Sequence, residues 1–149
     1  MKKVKGKIIL VDDESYEEEF LETALSRNNW NIKIEYFNNV DDAVEHLKKN
    51  ADEVFLIISD MQMPGKSGMD FKKILDDDEY LKQKSIPFIF VSHSMSREII
   101  IESYKYHVQG YFKKPLSIEE QARLFEIIVQ YWINCIHPEK DDLPTNPNL

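Results

Sequence analysis

Five strand-like segments alternate with five helix-like segments along this chain, and this alternation constrains its fold more than any other feature. The strand-like segments are 7–11, 32–37, 54–59, 86–91 and 109–112. The helix-like segments are 15–28, 40–49, 68–81, 96–106 and a last one that begins after Ser117. Strict alternation is typical of a parallel sheet covered by helices on both faces. Because crossovers between parallel strands are short and right-handed, the sequence predicts an α/β domain with a doubly wound, five-stranded parallel sheet and five helices.

Two of the helix starts carry a capping signal. Ser15 with Glu18, and Ser117 with Glu120, have the spacing of a capping box. In that motif a serine and a glutamate side chain each satisfy a backbone N–H group that the first helical turn leaves unpaired. We therefore expect capping boxes at both positions.

Polar residues stand where four of the apolar segments end. Asp12 and Asp13 follow the first strand, Asp60 the third, Ser92 the fourth and Lys114 the fifth. In open parallel sheets, ligands bind at the carboxyl ends of the strands, so we expect these side chains to converge there. Two carboxylates about 4 Å apart repel by roughly 4 kcal/mol at an effective dielectric near 20, so a cation is needed among them. The set suits a hard divalent cation and a phosphoryl group.

Four motifs in order carry a family resemblance. They are the acidic pair Asp12-Asp13, the Asp-x-x-Met-Pro-x-x-x-Gly run from Asp60 to Gly68, Ser92, and the Lys-Pro pair at 114–115. From about residue 7 to 132 the chain resembles the receiver domain of two-component response regulators, including the bacterial chemotaxis regulator. The resemblance implies a flavodoxin-like fold with strand order 2-1-3-4-5. Tyr131-Trp132 near the end is loosely similar to the response regulators of cyanobacterial phytochromes.

The resemblance also implies which residues hold a metal ion. Asp60 would be the phosphoacceptor, and Asp13 and Asp60 would ligate Mg²⁺. Asp12 would support the metal ion through water, and the backbone carbonyl of Gln62 would complete the protein ligands.

Three further roles follow from the same resemblance. Ser92 and Lys114 would contact the phosphoryl group, and Ser92 with Tyr111 would form the conformational switch. The lysine directly before Pro115 fits the family, so Lys113 is expected to face solvent.

The predicted function is that of a stand-alone response regulator in a phosphorelay. Asp60 would take a phosphoryl group from the phosphohistidine of a sensor histidine kinase or a phosphotransfer protein, and a downstream protein target would read the result. Such a domain is not an enzyme in its own right, although it takes part in its own phosphoryl transfer and dephosphorylation. The alternative is a receiver-like protein-interaction module that works without phosphorylation. A haloacid-dehalogenase-type phosphatase is rejected, because it needs an acid/base Asp where Gln62 stands.

The last helix carries two apolar stripes, and an edge helix needs only one for the sheet. The first stripe comprises Phe125, Ile128, Val129, Trp132, Ile133 and Ile136. The second comprises Leu124, Ile127 and Tyr131. We expect the second stripe to be the interface of a homodimer. The alternative is that the tail folds back over the second stripe. The domain is predicted to span residues 1–137 with an extended last helix, and residues 138–149, which contain three prolines, to form a mobile tail.

Length, charge and hydropathy limit the number of domains, the kinds of partner and the location of the protein. The chain has 149 residues, enough for one domain. Its net charge of −8 disfavours nucleic acid as a partner. No apolar run approaches the roughly 20 residues of a membrane span, and no secretory signal is present. These features predict a cytoplasmic protein that binds neither nucleic acid nor membrane.

Overall fold

The computed structural model describes residues 4–138 and 140–148. Five parallel strands form one sheet in the order 2-1-3-4-5, which confirms the predicted fold class. The strands are β1 Lys7–Val11, β2 Ile34–Phe37, β3 Val54–Ser59, β4 Phe88–Ser92 and β5 Gly110–Lys113. The helices are α1 Tyr16–Arg27, α2 Val40–Asn50, α3 Gly68–Asp77, α4 Glu79–Gln83, α5 Arg97–Lys105 and α6 Ile118–Asn134, with a 3-10 turn at Ala51–Glu53.

The sheet has a hydrophobic core on each face. Side chains alternate along β1, so that Ile9 and Val11 pack towards α2 and α3, while Ile8 and Leu10 pack towards α1 and α6. All six residues of β3 are buried. Burial on both faces explains why the central strands are continuous apolar runs rather than alternating ones. The polar groups of these strands therefore concentrate where the strands end.

Six helices lie in the described residues rather than the five that we predicted. The segment after Gly68 breaks at Asp78, which has an extended backbone (φ −93°, ψ 112°). The Asp78 side chain accepts a hydrogen bond from the N–H of Leu81 and starts α4. Aspartate favours such a cap over a helix interior because its short side chain competes for backbone donors.

The expected capping box at Ser15 is wrong. Ser15 has a helical backbone and its side chain makes no capping hydrogen bond, whereas the Asp12 side chain accepts from the N–H of Glu14. Ser117 does cap α6, accepting from the N–H of Glu120 at 3.1 Å, but this is only the serine half of the expected capping box.

The last helix ends earlier than its apolar pattern indicates. Cys135 is already extended, and Ile136 is 65% exposed instead of facing the sheet. Of the second stripe, Leu124 packs partly against the core, while Ile127 and Tyr131 are 52% and 63% exposed. The described part of the tail leaves those two side chains uncovered.

The tail runs instead towards the amino ends of the strands. His137 is buried, and its N–H donates to the Asp141 carboxylate. Lys140 donates to the backbone carbonyl of Asp52, and Asp142 lies 3.8 Å from the ammonium of Lys5. Among the described residues, no helix combines the length and the apolar character that crossing a membrane requires.

Candidate functional site

Backbone hydrogen bonds bring the ends of the strands together. The N–H of Asp60 donates to the carbonyl of Val11 at 2.8 Å, which aligns the end of β3 with that of β1. The N–H of Lys114 donates to the carbonyl of Ser92 at 2.9 Å, which ties the end of β5 to that of β4. The predicted polar residues therefore lie along one edge of the sheet, which we call the carboxyl edge.

Three carboxylates meet at this edge. Oxygen atoms of Asp12, Asp13 and Asp60 all lie within 4.8 Å of one another. Asp12 and Asp60 are buried, whereas Asp13 is exposed. The group offers only oxygen ligands and includes one solvent-facing member, which fits a hard cation that keeps some of its water. Gln62 is exposed, and the role of its backbone carbonyl remains a prediction.

The turn after β3 holds Asp60 in place. The N–H of Met61 donates to Oδ1 of Asp60 at 2.7 Å. Gly68 begins α3 directly against this turn: a Cβ atom at that position would lie 2.1 Å from the backbone oxygen of Asp60. Only glycine allows the helix to start so close to the carboxylate.

Lys114 is the cation of the cluster and is only 1% exposed. Its Nζ lies 2.7 Å from Oδ2 of Asp12 and 3.6 Å from Oδ2 of Asp60. Burial alone would lower the pKa of Lys114, but the surrounding carboxylates, Asp12 first among them, outweigh burial and raise the pKa. Lys113 is exposed, as expected.

Burial dominates the titration of Asp12. It raises the pKa of Asp12 to about 6, although Lys114 and the N–H of Glu14 act in the opposite direction. Removing a carboxylate from water penalises its ionised form, and one ammonium shared among several anions compensates only in part.

Two glutamates that the sequence interpretation missed also surround Lys114. Glu14 Oε2 lies 3.6 Å and Glu17 Oε1 lies 3.8 Å from the ammonium. Glu17 is 1% exposed, and burial raises its pKa to about 7. The signal for Glu17 was its position four residues before Leu21, on the inward face of α1.

The two predicted switch residues lie beside the cluster and are linked through Ser94. The Ser92 hydroxyl is buried and accepts from the N–H of Ser94 at 3.2 Å. The Tyr111 hydroxyl donates to the carbonyl of Ser94 at 2.8 Å, and its ring packs against Phe90 with centroids 5.9 Å apart. Both side chains thus hold the loop that joins β4 to α5.

Comparison with known proteins agrees with this geometry. A family model described as "Response regulator receiver domain" matches residues 8–126. The chemotaxis protein CheY1 of Helicobacter pylori is 30% identical over 83% of this chain and 96% of its own length. The probable methanogenesis regulatory protein FilR2 of Methanothrix harundinacea is 25% identical over 85% of this chain and 83% of its own. A putative two-component response regulator of Arabidopsis thaliana, ARR20, is 30% identical over 64% of this chain, which spans only 21% of that protein.

Solved structures share the fold. The phosphorylated cyanobacterial phytochrome response regulator RcpA superposes with a TM-score of 0.81, at 24% identity over 89% of this chain and 98% of that one. The Mn²⁺-bound response regulator Rcp1 gives a TM-score of 0.75 at 20% identity, over 93% of this chain and 99% of that one.

Proposed function

Because this chain belongs to the response regulator receiver domain family, we propose that Asp60 accepts a phosphoryl group from the phosphohistidine of a histidine kinase or a phosphotransfer protein. Receiver domains are signalling domains rather than enzymes in their own right, and phosphorelay signalling is consistent with that membership. The observation that carries the assignment is the position of Asp60, fixed by Met61 at the strand end and facing both an acidic group and a buried ammonium.

The transfer exchanges one bond to phosphorus for another. A carboxylate oxygen of Asp60 forms the new O–P bond while the N–P bond of the phosphohistidine breaks, and the electron pair returns to the imidazole nitrogen, which takes a proton from water. Charge on the phosphoryl oxygens must be stabilised throughout. Lys114 supplies a positive charge, and Ser92 a hydroxyl that can donate a hydrogen bond.

Asp12, Asp13 and Asp60 would hold Mg²⁺, with the backbone carbonyl of Gln62 as a further ligand. The ion would contribute positive charge beside the phosphoryl oxygens. The carboxylates that bind it also orient Lys114, since Asp12 contacts the ammonium at 2.7 Å.

Phosphorylation would act on the loop after β4. The Ser92 hydroxyl would exchange the N–H of Ser94 for a phosphoryl oxygen, and Tyr111 would release the carbonyl of Ser94 and move inward. The surface that changes would comprise α5, β5 and the start of α6. Such a change selects between two pre-existing conformations of one fold.

The output is proposed to be protein contact, with a downstream target and with a second copy of the chain. The exposed Ile127 and Tyr131 on α6 support the homodimer. Action as a stand-alone response regulator is part of the same proposal. We also propose that the protein is cytoplasmic, that residues 138–149 are a mobile tail, and that neither nucleic acid nor membrane is a partner.

Phosphorylation by a small donor tests the proposal. With phosphoramidate and Mg²⁺, mass spectrometry of wild type should show one added phosphoryl group, located on Asp60. Asp60→Asn should remove it, and the exposed control Asp77→Asn should not. A phosphoryl group that persists in Asp60→Asn contradicts the assignment. Absence of any phosphorylation in wild type supports the alternative, a receiver-like interaction module that works without it.

Sedimentation tests the homodimer. Wild type should associate at high micromolar concentration, and Tyr131→Ser should associate less. If both remain monomeric with and without beryllofluoride, the homodimer is wrong.

A further inference from the structure

Glu17 is a buried carboxylate that the proposed phosphoryl transfer does not use. It lies in the first turn of α1 and is 1% exposed. Its Oε1 accepts no hydrogen bond from the residues that the structure describes. A buried carboxylate without such a partner is costly in its ionised form unless a cation lies close by. Lys114 is that cation, with its Nζ 3.8 Å from Oε1.

Four carboxylates surround the ammonium of Lys114, and Asp12 is the nearest of them. The Lys114 Nζ lies 2.7 Å from Asp12, 3.6 Å from both Glu14 and Asp60, and 3.8 Å from Glu17. Glu17 adds a second buried negative charge to the attraction that acts on the same ammonium. Lys114 must lose part of this attraction if it is to contact a new anion on Asp60.

We propose that Glu17 is a positioning residue for Lys114, which holds the ammonium in the resting state and thereby weakens the binding of an anionic group at Asp60. The inference rests on the proposed phosphoacceptor function. Two effects act in the same direction: Glu17 competes for the ammonium, and its own charge repels a phosphoryl group. Glu17 therefore favours the unphosphorylated protein.

The same charge has the opposite effect on a cation. An additional carboxylate beside Asp12, Asp13 and Asp60 increases the attraction for Mg²⁺ and draws Lys114 away from the metal ligands. Removing the charge should therefore weaken Mg²⁺ binding while it strengthens binding of a phosphoryl mimic. A residue with a merely structural role would not shift the two affinities in opposite directions.

The test compares Glu17→Gln, which removes the charge at nearly constant shape, with Glu19→Gln. Glu19 is exposed in the same helical turn, so the control removes an equal charge from the same helix end. Both variants and wild type are studied at pH 8, above the raised pKa of Glu17. Calorimetry gives the Mg²⁺ affinity, and amide chemical shifts give the beryllofluoride affinity at saturating Mg²⁺.

Glu17→Gln should bind beryllofluoride about three- to tenfold more tightly than wild type and Mg²⁺ about threefold more weakly, since one close charge pair is removed. Glu19→Gln should stay within about twofold of wild type in both, because exposed charges are screened. Glu17→Asp, which keeps the charge, should lie closer to wild type than Glu17→Gln does. Glu17→Met serves as a second neutral variant if the glutamine variant does not fold.

Equal behaviour of Glu17→Gln and Glu19→Gln would overturn the inference, and so would parallel changes in the two affinities. Failure of the proposed function looks different. In that case wild type itself binds no beryllofluoride and accepts no phosphoryl group.

Discussion

The two edges of this sheet carry charge in different ways. At the carboxyl edge, Asp12, Glu17 and Lys114 are almost completely buried. A carboxylate oxygen of each acidic residue lies within 4 Å of the Lys114 ammonium. At the amino edge, Lys84 pairs with Asp52 at 2.6 Å; the lysine side chain is 20% exposed and the Asp52 side chain 72% exposed. The ion pairs that Lys114 makes with Asp12 and Glu17 are buried on both sides, whereas the pair at the amino edge keeps its carboxylate in water.

The burial of charge at the carboxyl edge is explained better by function than by stability. Exposed ion pairs contribute little and cost little. A buried set in which one cation faces several carboxylates loses hydration and suffers repulsion, and apolar residues of similar volume are often at least as stabilising. The carboxyl edge is therefore best explained by the anion and the cation that we propose it binds.

The largest expected effect comes from removing the buried cation. Lys114→Met should lower the free energy of unfolding by about 3–5 kcal/mol at neutral pH, because it leaves buried carboxylates without a counter-charge. Urea unfolding measures the change. The matched control is Lys84→Met at the amino edge, which should lose no more than about a third as much. Equal losses would remove the distinction between the two edges.

The pH dependence of stability is the next largest effect. Burial raises the pKa of Asp12 to about 6 and that of Glu17 to about 7, from 3.8 and 4.5. Between the pKa values of the unfolded and the folded state, the folded protein binds more protons than the unfolded chain. The free energy of unfolding therefore falls as pH rises from about 4 to 7. The raised pKa of Lys114 has no effect in this window, because lysine stays protonated in both states.

Glu17→Gln isolates one of the two groups. The free energy of unfolding of this variant minus that of wild type should increase by about 1–3 kcal/mol from pH 4.5 to pH 7.5, because glutamine has no proton to lose. Urea unfolding at both pH values gives the difference. A constant difference across that range would show that Glu17 does not titrate abnormally.

Asp13→Asn should change binding more than folding. Mg²⁺ affinity should fall on the order of tenfold, since one oxygen ligand loses its charge, while the free energy of unfolding stays the same or rises slightly as repulsion decreases. Calorimetry and urea unfolding measure the two. Asp52→Asn at the amino edge is the control, and an equal loss of Mg²⁺ affinity there would contradict a site at the carboxyl edge.

The smallest effect is expected at the amino edge from the tail. A chain that ends at Pro138 loses the exposed contacts of Lys140 and Asp142 with Asp52 and Lys5, and the Asp141 carboxylate that accepts from the N–H of His137. Its free energy of unfolding should remain within about 1 kcal/mol of wild type, because the two side-chain contacts are exposed and water can replace Asp141 at the N–H of His137. A larger loss would mean that the tail is part of the folded domain.

The sequence predicted the sheet and the strand-end residues because both depend on periodic or terminal signals. Continuous apolar runs mark buried parallel strands, and the residue that ends each run must lie at the carboxyl edge. Asp12, Asp60 and Lys114 could therefore be grouped without coordinates.

The helix break, the missing cap and the buried glutamate could not be predicted in this way. They depend on contacts between distant segments or on competition between side chains for the same backbone N–H groups. Asp78 breaks a helix because its side chain captures a backbone N–H, and Asp12 binds the N–H of Glu14 where a Ser15 cap was expected. Glu17 did not stand out in the sequence because it is followed by Glu18 and Glu19, and acidic residues are common in the first turn of a helix. Its position four residues before Leu21 placed it on the inward face of α1, but position on a helix face does not by itself distinguish a buried carboxylate from a half-exposed one.

Amide spectra recorded with Mg²⁺ and beryllofluoride test whether the carboxyl edge binds the metal ion and the phosphoryl group. We expect the largest shifts at Asp60, Ser92 and Lys114. The shifts should extend through α5 and β5 and leave Lys7 and Lys84 at the amino edge unchanged. Asp60→Asn should abolish them. Shifts centred on the amino edge, or unaltered shifts in Asp60→Asn, would contradict binding at the carboxyl edge.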